Sequence, residues 1–189
     1  MPIKINVKKS INDASVKNYV LFSNEQFKIN SLNRLTLSRF SSNISKTINV
    51  NNSKKKEILI FNLNPTQKII LIKLKNNLST LSNEKKGAEF FDFIKSNSIF
   101  NLTFLEGNFA DLLKKNKNFL DEFLHGVNLK SYTFNKYKTK KNLENYEINI
   151  SFNSKNFNYN KNKRFESLID GISFTKDLVS EPGNILHPD

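Results

Sequence analysis

The chain has 189 residues, of which 30 are Lys or Arg and 17 are Asp or Glu, giving a formal charge of +13. That length fits one domain, or one domain and part of another, and 38% hydrophobic residues suffice for a core despite the charge. The absence of Cys excludes disulfide frameworks, thiolate zinc sites, iron–sulfur ligation and cysteine nucleophiles. The longest apolar runs, near Ile69 and Phe90, fall far short of the roughly 20 residues a membrane helix needs.

In chain order, Ile3, Ile5 and Val7 alternate with Lys4 and Asn6, the period of a strand with one buried face. This start is not an apolar signal region, so a cytoplasmic address and no membrane partner are expected. Tyr19 to Phe22 is a short apolar strand. Ser31 to Lys46 mixes two periods through Leu32, Leu35 and Leu37, which leaves a helix there ambiguous. Glu57 to Leu63 and Lys68 to Leu74 are two strands joined by the turn Asn64-Pro65-Thr66-Gln67, and their apolar character places them at the sheet centre.

Ser82 is the expected cap of a helix carrying Ala88, Phe91 and Ile94 and ending near Ser96. Ile99 to Leu105 is a further strand. From Phe109 to Val127, apolar residues recur at steps of three and four, the pattern of one long helix after Gly107-Asn108. Tyr146, Ile148, Ile150 and Phe152 alternate as a strand within Leu143 to Phe152, and Asn153 to Asn162 is a polar loop. Phe165, Leu168, Ile169, Ile172 and Val179 describe an amphipathic helix stopped by Pro182. Strands alternating with helices make the fold class α/β, a mixed sheet flanked by helices.

Few motifs of reactive chemistry accompany these elements. The five glycines never cluster into a phosphate loop and serve as caps, turns or helix packing points. His125 and His187, 62 positions apart, are structural residues and not a metal pair. Asp121 and Glu122 point in different directions from one helix, as solvated surface charges. No serine lies in a Gly-x-Ser-x-Gly elbow. The basic cluster Lys136-Tyr137-Lys138-Thr139-Lys140-Lys141, preceded by Tyr132 and Phe134, raises nucleic acid as a partner, with Lys136, Lys138, Lys140 and Lys141 as its contacts. Against this, 27 of the 30 basic residues are Lys, whereas base-reading surfaces favour the Arg fork. With 31 Asn and 17 Phe as well, the charge is part of a compositional drift along the whole chain.

Two segments carry a resemblance. Ser131 to Lys141, SYTFNKYKTKK, after a long helix, resembles the corresponding segment in the N-terminal domain of leucyl (cytosol) aminopeptidases. Phe165 to Asp189, FESLIDGISFTKDLVSEPGNILHPD, resembles the helix and Asp-Leu-Val-Asn-x-Pro-x-Asn stretch that joins that domain to the catalytic one. Asp177, Leu178, Val179, Pro182, Asn184, Leu186 and Pro188 match; Ser180 replaces the usual Asn, and Gly183 stands where Pro or Ala is common. The resemblance implies a macro-domain-like fold over 1–160, a linker helix over 161–181, and over 182–189 the start of a catalytic domain.

The same resemblance implies a non-catalytic domain of a dimetal exopeptidase, serving hexamer assembly and active-site access, with its own catalytic domain as partner. The two divalent ions, zinc or manganese, and the catalytic Lys and Arg belong to family motifs absent from this sequence, so no catalytic, metal or substrate-binding residue carries over. His187-Pro188-Asp189 has the form of a helix start, which fits a continuation. The alternatives are a free-standing basic nucleic-acid-binding domain and, without a phosphate loop to support it, a nucleotide-binding one.

Overall fold

Each of the six expected strands forms. The computed structural model describes residues 3–8, 12–29, 37–51, 56–75, 79–137, 146–151, 163–183 and 185. Its strands are β1 (Ile3–Lys8), β2 (Asn18–Ser23), β3 (Ile58–Asn62), β4 (Lys68–Lys73), β5 (Asn101–Leu105) and β6 (Tyr146–Ser151). They make one mixed sheet in the order β1-β6-β5-β2-β4-β3, parallel throughout except for the antiparallel β3–β4 pair. The α/β class expected from the alternation of elements is therefore present.

The helices are α1 (Ser41–Asn51), α2 (Thr80–Ser96), α3 (Glu106–Lys115), α4 (Phe119–Ser131) and α5 (Lys163–Ser180). Three expectations are corrected. The hairpin β3–β4 lies at one edge, while β5 and β2 hold the middle. Its apolar character comes from cover on both faces: Ile70 and Ile72 enter one core cluster, Leu59, Ile69 and Leu71 the other. The cap of α2 is Ser79, whose hydroxyl accepts from the Ser82 amide at 3.3 Å, so Ser82 sits inside the first turn. The long helix is two, broken at 116–118, where the Asn116 side chain accepts from the Asn118 amide. Both halves keep their apolar side inward, so one periodicity runs through the break.

The pleat divides the sheet. On its first face Val20, Phe22, Phe104, Ile148 and Ile150 meet α2 and α4, with the Phe22 ring edge-on to Phe119 and Phe123 at 5.1 and 5.3 Å. α2 and α4 cross at two glycines: a Cβ on Gly126 would stand 1.9 Å from the Glu84 carbonyl oxygen, and one on Gly87 2.0 Å from that of Phe123. On the second face Tyr19, Leu21, Leu59 and Leu71 are covered by Ile44 and Ile48 of α1, a helix at the end of the segment whose periodicity was ambiguous. Over β1, β6 and β5 the alternate residues of that face are Asn6, Glu147, Asn149, Asn101 and Thr103, which are polar.

Candidate functional site

The two family-like segments meet. Chain leaving α4 at Ser131 runs without regular structure through Tyr132 to Asn135 and lies along the C-terminal turns of α5. Tyr132 Oη donates to Asp177 Oδ1 at 2.6 Å, Lys136 Nζ to Glu181 Oε1 at 2.5 Å, and Tyr137 Oη to Glu181 Oε2. In return Lys176 Nζ donates to the Leu129 carbonyl at 3.1 Å and lies 5.0 Å above the Tyr132 ring. Glu181, one residue past α5, reaches the same segment as Asp177 because its amide still bonds the Leu178 carbonyl of the last helical turn at 3.2 Å.

The electrostatics follow from these bonds. Hydrogen bonds from Lys136 and Tyr137 hold the Glu181 carboxyl below its ordinary value. The bond to Glu181 raises both Lys136 and Tyr137. Burial of the phenol and then its bond to Asp177 raise Tyr132. The cluster therefore joins two segments through charge-assisted bonds.

Of the four lysines singled out as nucleic-acid contacts, Lys136 is exposed but engaged by Glu181. Lys138, Lys140 and Lys141 lie outside the described residues, as do His187, the loop 153–162 and residues 31–36 of the ambiguous segment. Tyr132 and Phe134 interleave with the charge as expected from an extended chain, and Phe134 stacks edgewise on Tyr137 at 5.8 Å. Asp177 and Glu181 are the partners of this segment that the lysine cluster alone did not reveal. The signal was available as opposite charge in the two family-like segments.

Glu122 departs from the expectation of a solvated charge. It is buried, and its carboxylate accepts from Thr80 Oγ1 at 2.9 Å, Asn83 Nδ2 at 2.7 Å and Asn116 Nδ2 at 2.8 Å. It ties the start of α2 to the α3–α4 break, with three neutral donors offsetting the burial of its charge. Asp121 and Glu122 stand four and three residues before His125 on α4, yet no metal cluster results: His125 Nδ1 meets Glu84 Oε1 of α2 at 2.8 Å. The imidazole lies 5.4 Å from the Phe165 ring of α5, and its buried Nε2 has no hydrogen-bond partner among the described residues. Elsewhere, burial opposes ionisation of Glu57, but hydrogen bonds from Lys86 and Lys73 outweigh it and leave the carboxyl below its ordinary value.

Among the described residues no three His, Asp or Glu side chains gather as metal donors, and no helix is long and apolar enough to cross a membrane. α5 packs against α4 and leaves Leu168, Phe174, Leu178 and Val179 exposed. What these residues do together is hold a helix in place and present its apolar side.

No protein-family model and no curated protein matches the sequence. Among solved structures, a variant of tomato leucine aminopeptidase aligns over 98% of this chain with a TM-score of 0.69 and 21% identity. The bottromycin maturation enzyme BotP aligns over 92% with a TM-score of 0.56 and 9% identity. At such identities the likeness is one of fold. This chain spans 40% of the aminopeptidase chain and 35% of BotP.

Proposed function

We propose that this chain is the non-catalytic N-terminal domain of a leucyl aminopeptidase-like exopeptidase, which releases N-terminal residues from peptides. The observation that carries the reading is the junction: the two segments that resemble the family are bonded to each other through Asp177 and Glu181. The fold likeness over 98% of the chain supports it. In this reading α5 is the linker helix, and its exposed apolar residues pack on the protein's own catalytic domain within a homo-hexamer, governing assembly and access to the active sites.

The parent's two divalent ions, zinc or manganese, supply an activated water and a polarised carbonyl. The described residues of this chain do not assemble a donor set for them, so no step is routed through these side chains. Their part is to position α5. The nucleic-acid alternative draws its charge from a cluster whose first member, Lys136, is already paired.

The test is an antibody to this chain applied to extracts of the source cells. The captured polypeptide is expected to hydrolyse leucine amide in a manner dependent on zinc or manganese, while the isolated 189-residue chain gives no turnover. A captured polypeptide without that activity, or hydrolysis by the isolated chain, overturns the reading.

A further inference from the structure

The connection from β1 to β2 differs from the other crossover links of this sheet, the β3–β4 hairpin turn aside. β2 to β3, β4 to β5 and β5 to β6 each include at least one helix, whereas the β1–β2 link has, among the described residues, only a 3-10 turn at Asp13–Ser15. β1 and β2 are parallel and three places apart, so the link must return from the C-terminal end of one to the N-terminal end of the other. It does so beside the polar half of the second face, and a cavity of about 310 Å³ lies between link and sheet. That volume is at the lower end of the range for small-molecule sites.

The cavity has a surplus of hydrogen-bond donors. Lys8 and Lys17, at diagonal corners, form no ion pair with any described residue. Thr103 is 4% exposed, and its hydroxyl has no hydrogen-bond partner among the described residues. Asn149 uses its Oδ1 to accept from Asn6 at 3.2 Å, and among the described residues neither its Nδ2 nor the side-chain amide of Asn101 has a hydrogen-bond partner. The one carboxylate, Glu147, accepts from Asn6 through Oε1 at 2.6 Å and keeps Oε2 for another donor. Lys8, Lys17 and Asn101 are exposed and Asn149 is half-buried, so these donors face water, and a ligand rich in acceptors would take its place on them.

We propose that this groove binds a small organic dianion of the hydroxy- or amino-dicarboxylate class. Lys8 and Lys17 each take one carboxylate, Thr103 and Asn149 donate to the same oxygens, and Glu147 accepts from the hydroxyl or ammonium group. Three strand spacings across and four residues along put the two lysine Cα atoms roughly 20 Å apart; side chains reaching inward from both corners leave the span of a short dicarboxylate. The inference does not rest on the proposed function.

The full chain is titrated calorimetrically with L-malate, L-aspartate and inorganic phosphate as probes. Saturable binding of a dicarboxylate is expected, weakened about tenfold or more by Lys17→Ala and by Thr103→Val. Both variants should keep the parent's melting temperature, and Lys114→Ala, which makes the same change of charge on α3, should bind as the parent does. Absence of saturable binding, equal weakening by Lys114→Ala, or affinity unchanged in Lys17→Ala and Thr103→Val overturns the site. Phosphate binding more tightly than either dicarboxylate overturns the ligand class.

Discussion

Substituting Gly126 by Ala tests the helix crossing at the centre of the fold. The added Cβ would stand 1.9 Å from the Glu84 carbonyl oxygen, against 3.4 Å for ordinary contact. The obstacle is α2 backbone, which no rotamer change can move aside. Helices α2 and α4 must therefore part by about 1.5 Å, and a gap of even 0.5–1 Å already forfeits a quarter to a half of the dispersion well along the contact. Overpacking costs about 1–3 kcal/mol, and rigid backbone on both sides puts this case at the upper end. The intrinsic helix preference of Ala over Gly returns about 1 kcal/mol.

A net loss of about 2 kcal/mol is a large part of the total stability of about 5–15 kcal/mol and lowers the melting temperature by about 4–8 °C. Gly171→Ala is the internal control, because a Cβ there meets nothing within 4 Å on α5. It gains only the helix preference and should raise stability by about 0.5–1 kcal/mol. Urea and thermal unfolding of both variants give the comparison. Parent-like melting of Gly126→Ala, or destabilisation by Gly171→Ala, refutes the reasoning.

Three further outcomes are expected. Glu122→Ala removes the acceptor of three hydrogen bonds in a buried setting and should cost about 3–5 kcal/mol in urea unfolding, with Glu122→Gln recovering part of it. Ser79→Ala removes the α2 cap and should cost about 1 kcal/mol, with Ser79→Asp close to the parent. At the junction, Glu181 is depressed below 4.5, so its contribution is complete above that pH and disappears as pH falls through the lower folded value. Lys136 is raised above 10.5 and Tyr137 above 10.0, so theirs is complete below those values and disappears at more alkaline pH. The stability difference between the parent and Glu181→Gln should therefore be constant from about pH 5 to pH 9 and shrink on either side; a difference that peaks near pH 7 contradicts the assignment.

The candidate site was half visible in the chain. Tyr132, Phe134 and the lysines after them stood out by composition, and α5 by its apolar period. That Lys136 and Tyr137 share Glu181, some 44 residues away, depends on the path of α5 along α4, which no local pattern encodes. Glu122 was misjudged for a related reason: a carboxylate two residues from Leu120 and Leu124 on a helix has the same local pattern whether its side meets water or Asn83 of another helix.

Local chemistry determined what each stretch of this protein becomes. Alternation at period two set β1 and β6, short apolar runs set the strands between them, spacing of three and four set most helical faces, and Asn64-Pro65 set the hairpin turn, because these depend on backbone sterics and on which side of an element must leave water. Tertiary structure decided the rest. It broke the apolar stripe of 109–127 so that α3 and α4 could pack separately, and it sent a doubly covered hairpin to the sheet edge. It also brought Gly87 and Gly126 together at one crossing and left half of the second sheet face lined with polar side chains. Each of these is a relation between residues distant in the chain, where the free energy comes from contacts made only when both have arrived.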